Sequence, residues 1–146
     1  MLNNYPIDRI VPKTAILSNL IAIKRPVTIP EIIKVVSIVT QTYLHEVIGR
    51  RRHAEIVLAR QLICYFAWEW TSISSERIGI YMGGLSHCSV LHGKNKIKEQ
   101  LDPKAHNKQV RDFVSRIERT LNLSYRKVIR PKNTSWNKGL TTKNKC

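Results

Sequence analysis

Apolar residues recur every three or four positions along most of this chain, the period of a helix with one face on a core. Ile29, Ile32, Val36 and Val39 form the first such stripe, with Pro30 in the first turn and Glu31 placed to meet the helix dipole. A short helix over 44–48 closes at Gly49, and the basic run Arg50-Arg51-Arg52 follows. Residues 53–70 read as the longest helix, with Ile56, Ala59, Ile63, Phe66 and Trp70 on one face and Arg60 and Gln61 beside it. After a polar break at 71–75, residues 76–82 give about two turns of helix, with Ile78 and Tyr81 available to the core. Gly83-Gly84 forces a tight turn. Ser86 is placed as the N-cap of a helix reaching about Leu101, with Val90, Ile97 and Leu101 inward. Asp102-Pro103 supplies a cap and a first residue for a last helix, buried through Val110, Phe113, Val114, Ile117 and Leu121. Strand alternation and internal repeats are absent. The predicted fold is all-α, a helical bundle over 29–121, with an N-terminal extension over 1–28 and a C-terminal tail over 122–146.

Charge adds a partner to this picture. The composition, 42% hydrophobic and 7% aromatic over 146 residues, supports one mostly aliphatic core. Lys and Arg number 25 against 10 acids, a net charge of +15. That excess points to a polyanion, nucleic acid before anionic membrane. It is uneven: residues 122–146 hold seven basic groups and no acid. Such a tail is expected to be mobile and drawn to phosphate, and Trp136 within it to touch DNA or a partner. Residues 1–28, punctuated by Pro6, Pro12 and Pro26, could carry a short helix over 14–23 and dock a protein partner. Cys64, Cys88 and Cys146 form an odd set without CxxC spacing, which argues against a disulfide framework and suits a reducing compartment. No signal peptide and no apolar run of about 20 residues is visible. The expectation is a soluble cytoplasmic chain, associated with the nucleoid of a bacterial cell or phage-infected host.

The two helices about Gly83-Gly84-Leu85 have the layout of a helix-turn-helix. In that motif the second helix enters the major groove and its first residues reach base edges. Here those residues are Ser86, His87, Cys88 and Ser89, all small or planar. Lys94, Lys96 and Lys98 follow where a helix would meet phosphates. Many αα-hairpins share such a turn and bind nothing; turn and charge together point to DNA.

In detail, residues 50–97 resemble the C-terminal DNA-binding domain, domain IV, of the bacterial replication initiator DnaA. The stretch Gly83-Gly84-Leu85-Ser86-His87-Cys88-Ser89-Val90-Leu91-His92 is similar to the family signature GGRDHTTVLHA. Ala59-Arg60-Gln61 looks like the ARQ or PRQ segment of the family's long helix, and Ile78-Gly79 like its Ile-Gly. The basic run ending at Arg52 matches without gaps, and weaker similarity extends over 29–121. The resemblance implies a Trp-repressor-like helix-turn-helix bundle that binds double-stranded DNA as a monomer, in control of replication initiation or transcription. It implies Arg52 in the minor groove, where a narrow A·T-rich tract attracts arginine, and Ser86, His87 and Cys88 at base edges. Phosphate contacts are implied for Arg50, Arg60, Gln61, Ser75, Ser89 and Lys94. Ser86 stands where the family has an acid, Cys88 where it has Thr and Leu85 where it has Arg, so the target is expected to differ from the standard DnaA box. Trp68 replaces a frequent Lys and is expected to pack on the N-terminal extension. The family's ATPase motif GxxxxGK[ST] does not occur in this sequence, so no nucleotide is expected.

Other chemistries are weaker. Cys88 and His92 lie four apart on a helix, but a zinc site needs three or four ligands and no acid is near in sequence. A Cys-His hydrolase lacks any local motif for a lowered thiol pKa or an oxyanion hole. No cofactor, metal or enzymatic activity is expected. The alternative function is a non-specific architectural or virion-associated DNA binder. RNA is disfavoured, because a recognition helix does not fit the narrow major groove of A-form duplex.

Overall fold

The structure, a computed structural model, describes residues 24–130. Within them six α-helices follow in order: α1 (Ile29–Thr40), α2 (Leu44–Ile48), α3 (Ala54–Trp70), α4 (Ser75–Tyr81), α5 (His87–Gln100) and α6 (Lys108–Ser124). The all-α bundle predicted from periodicity is the fold observed. Helix α3 is central, packed along α5 and α1, while α6 lies against α1. Ile32, Val36, Leu62, Ile63, Phe66, Trp70, Ile78, Val90, Ile97, Ile117 and Leu121 are buried where these helices meet. Each such side chain is worth about 1.5–3 kcal/mol on leaving water.

Capping sets the helix starts. Glu31 reaches back to accept from the Thr28 backbone N–H at 2.9 Å and from its hydroxyl at 2.8 Å, and also pairs with Arg25. The Ser86 hydroxyl accepts from Ser89 N at 3.2 Å, and the Asn107 carboxamide from Val110 N at 3.2 Å.

Several expectations are corrected. Asp102-Pro103 does not open the last helix. Asp102 accepts from Lys104 N at 2.9 Å, but the turn it caps is a single 3-10 turn, Pro103–Ala105. His106 then turns left-handed, φ 46°, and Asn107 starts α6. Met82 rather than Tyr81 reaches the core: it is 1% exposed against 45%, because it stands four residues from buried Ile78. The body also extends past both boundaries read from the sequence. Val27 is buried, and Arg126 N donates to Arg25 O at 3.0 Å, so Pro26 and Arg126 meet in one parallel bridge. Val128 N donates to Trp70 O at 3.2 Å. Residues 1–23 of the expected docking arm, with the short helix over 14–23, the tail beyond 130 and Trp136 lie outside the described residues. Cys64 is a free thiol that burial pushes up to about 12.

Candidate nucleic-acid interface

The angle between α4 and α5 is fixed by backbone contact. A Cβ added to Gly79 would stand 2.0 Å from the Leu85 carbonyl oxygen, so only glycine lets the turn fold back over α4. Gly84 N and Leu85 N both donate to Gly79 O at 3.0 Å. Gly83 and Gly84 take φ of 77° and 85°, left-handed values that cost glycine nothing. Together these contacts fix the turn from which α5 starts.

The first turn of α5 carries no acid. Its exposed start holds Ser86 and Ser89, whose hydroxyls lie 2.9 Å apart, so part of their bonding capacity serves the cap. His87 and Cys88 are half-buried, with His87 Nε2 3.3 Å from Cys88 Sγ.

The basic loop before α3 is organised by Arg60. Its Nε donates to Val47 O at 2.6 Å, one Nη to Glu46 O at 2.9 Å and to Gly49 O, and the other to Arg51 O. One planar guanidinium thus gathers four carbonyls from α2 and the loop. Burial lowers its pKa from the ordinary arginine value. Arg60 was expected at a phosphate; four of its five N–H donors bind carbonyls of the chain itself, which also gives it a part in holding the loop against α3. Arg51 pairs with Glu46 at 2.6 Å. Among the described residues Arg50 and Arg52 have no acidic partner, and both are exposed.

A groove of about 690 Å³ between α3 and α5 is lined by Arg60, Gln61, Cys64, Cys88, Ser89 and His92, among others. It brings Gln61, Cys88 and Ser89 of the expected contact set to one place. Ser75 is half-buried as the first residue of α4, and the capping residue is Ser74, whose hydroxyl accepts from Arg77 N. Lys94 sits elsewhere: its Nζ lies 4.7 Å from the Trp68 ring centroid. Residues 1–23 of the N-terminal extension expected to pack on Trp68 lie outside the described residues. The Trp68 ring is covered by the Arg130 guanidinium at 3.8 Å, because 125–130 returns along the end of α3. Sequence reading missed Arg130, which is 57 residues from the Ile73 carbonyl it binds and lies in no motif. Among the described residues no three His, Cys, Asp or Glu side chains gather as a metal site, and no helix is long and apolar enough to cross a membrane.

A polar helix start set by a double-glycine turn, with lysines behind it and an arginine loop tied to α3, has the layout of a DNA-binding helix-turn-helix. Residues 29–97 match the family described as the bacterial DnaA protein helix-turn-helix. Its relatives include chromosomal replication initiator proteins DnaA. That of Oenococcus oeni is 34% identical over 79 residues, 54% of this chain and 18% of the relative. That of Thermomicrobium roseum is 45% identical over 58 residues, 40% and 12% of the two chains. That of Lactiplantibacillus plantarum is 32% identical over 119 residues, 80% and 26%. The chain therefore spans less than a third of the length of these relatives.

Proposed function

We propose that the chain binds double-stranded DNA at specific sites, as a monomer, with α5 in the major groove and Arg52 in the neighbouring minor groove. The observation that carries this is Arg60. It lines the same groove as Cys88 and Ser89 while holding the carbonyl of Arg51, so it ties the exposed Arg52 loop to the reading end of α5. Ser86 and His87 are assigned to base edges. Cys88 is assigned to base edges too, its sulfur an apolar surface suited to a thymine methyl. Arg50, Gln61, Ser75, Ser89 and Lys94 are assigned to phosphates, and Arg60 to holding the loop. The relatives' name, chromosomal replication initiator, supports origin-type sites as targets, with control of initiation or transcription as the outcome. The assigned role is binding and not catalysis. It places the protein in the cytoplasm, on the nucleoid.

The test is titration of a duplex carrying the preferred site, and a scrambled duplex, with wild type, Arg52→Ala and His87→Ala. A good base contact contributes about 1–3 kcal/mol of discrimination. Each variant is expected to lose about tenfold or more on the preferred site and little on the scrambled one. Unchanged binding by His87→Ala would overturn this docking.

A further inference from the structure

The C-terminal segment brings a cation to the recognition helix that the helix-turn-helix itself does not contain. Arg130 Nη2 donates to Ile73 O at 2.6 Å and to Thr71 O at 3.3 Å, and its guanidinium lies flat enough on Trp68 to stand 3.8 Å from the ring centroid. The Lys94 ammonium of α5 lies over the same ring. Two cations are therefore held at one aromatic ring, both partly withdrawn from water. Burial lowers the pKa of each, and for Lys94 repulsion from Lys98 and Arg130 adds to this.

Compensation is thin. Glu69 is the acid that acts on both groups, and it already pairs with Lys127 at 3.8 Å. Lys94, Lys127 and Arg130 thus share one carboxylate. Packing alone does not explain such a surplus, since an apolar residue at 130 would cover Trp68 without repelling Lys94. The surplus is relieved when an anion arrives. Lys94 stands seven positions after His87 on α5, hence on nearly the same face and about 10 Å further along the axis. With the helix start in the major groove, that distance reaches the groove's edge, where backbone phosphates run. The guanidinium is already fixed by two carbonyls and a ring, so little side-chain freedom is lost when it binds.

We propose that Lys94 and Arg130, gathered on Trp68, form one shared backbone-phosphate site, so that residues 125–130 belong to the DNA-binding module and extend its footprint beyond the helix-turn-helix. The inference rests on the docking under Proposed function and adds Arg130 to it.

The experiment measures affinity for the preferred duplex between 50 and 200 mM salt for wild type, Lys94→Gln, Arg130→Gln and the double variant, with thermal melting and hydroxyl-radical footprints of each. Losing one phosphate contact lowers the slope of log K against log salt by about 0.9. Each single variant is expected to lose that much, so its deficit at 50 mM is about 3.5 times its deficit at 200 mM. The double variant is expected to lose no more slope than either single one, because the phosphate is shared. The same flanking position of the footprint is expected to vanish in all three. Lys94→Gln leaves the carbonyl contacts of Arg130 in place, so it tests the site even if Arg130→Gln melts early. Wild-type slope and footprint in Lys94→Gln would overturn the proposal and leave a packing role for Arg130. Absence of site-specific binding by wild type would instead overturn the reading on which it rests.

Discussion

Arg60→Met removes the guanidinium head and keeps most of the apolar stem. Four carbonyls lose their donor. Those of Gly49 and Arg51 are bonded at exposed positions, where water replaces the arginine at little cost. Those of Val47 and Glu46 are bonded at part-buried positions, at 2.6 and 2.9 Å. Loss of a charged donor from a buried acceptor costs about 1–3 kcal/mol. Counting the two part-buried bonds at the lower half of that range gives about 2–4 kcal/mol in all. Urea unfolding should therefore show a lower midpoint at an unchanged slope. The second effect falls on DNA. With the loop released, Arg52 is no longer held beside α5, so Arg52→Ala should cost less in the Arg60→Met background than in wild type. A double-mutant cycle reads that coupling. If Arg60→Met unfolds at the wild-type midpoint, and Arg52→Ala costs the same in both backgrounds, Arg60 does not hold the loop. A lower salt slope with intact stability would return it to the phosphate role expected from sequence.

Three further outcomes are expected. Gly79→Ala places a methyl 2.0 Å from the Leu85 oxygen; it should destabilise by about 1–3 kcal/mol, the usual cost of overpacking, and should reduce DNA binding by tilting α5, as calorimetry and titration would show. Asn107→Ala should cost about 1 kcal/mol in urea unfolding through loss of the α6 cap. Burial raises the pKa of Glu31, but bonds from Arg25 and Thr28 outweigh it and hold the carboxyl at about 2. A folded pKa below the unfolded value, about 4.3, stabilises the protein above that value. This stability should fade as pH drops from about 5 towards 2, and melting curves of Glu31→Gln should lack that part of the acid limb.

Local signals made most of the frame legible. The apolar stripes of α1, α3 and α6 follow the helical period, and Ser86 and Gly83-Gly84 mark their turn through chemistry that needs no partner elsewhere. Where the outcome depended on distant residues, sequence reading failed. Asp102-Pro103 has the composition of a helix start, but the left-handed His106 and the better-placed Asn107 cap moved the start of α6. Arg60 stood in a motif whose implied partner was phosphate, while the carbonyls it binds come from residues 46–51, which look unremarkable as side chains. Trp68 gave no hint of Arg130, because a cation–π contact leaves no periodic trace in either segment. Helix α6 continues to Ser124, and the chain beyond it packs through backbone bonds that composition does not encode.

The central claim is that this chain reads DNA sequence. Selection of bound duplexes from a random pool at moderate salt, with the full chain, tests it most directly. The account predicts one enriched motif of about nine base pairs, read from the major groove, with an A·T-rich flank for Arg52. Tight, salt-sensitive binding without enrichment would contradict it and favour an architectural role. Competition by duplex RNA as strong as by duplex DNA would contradict it as well.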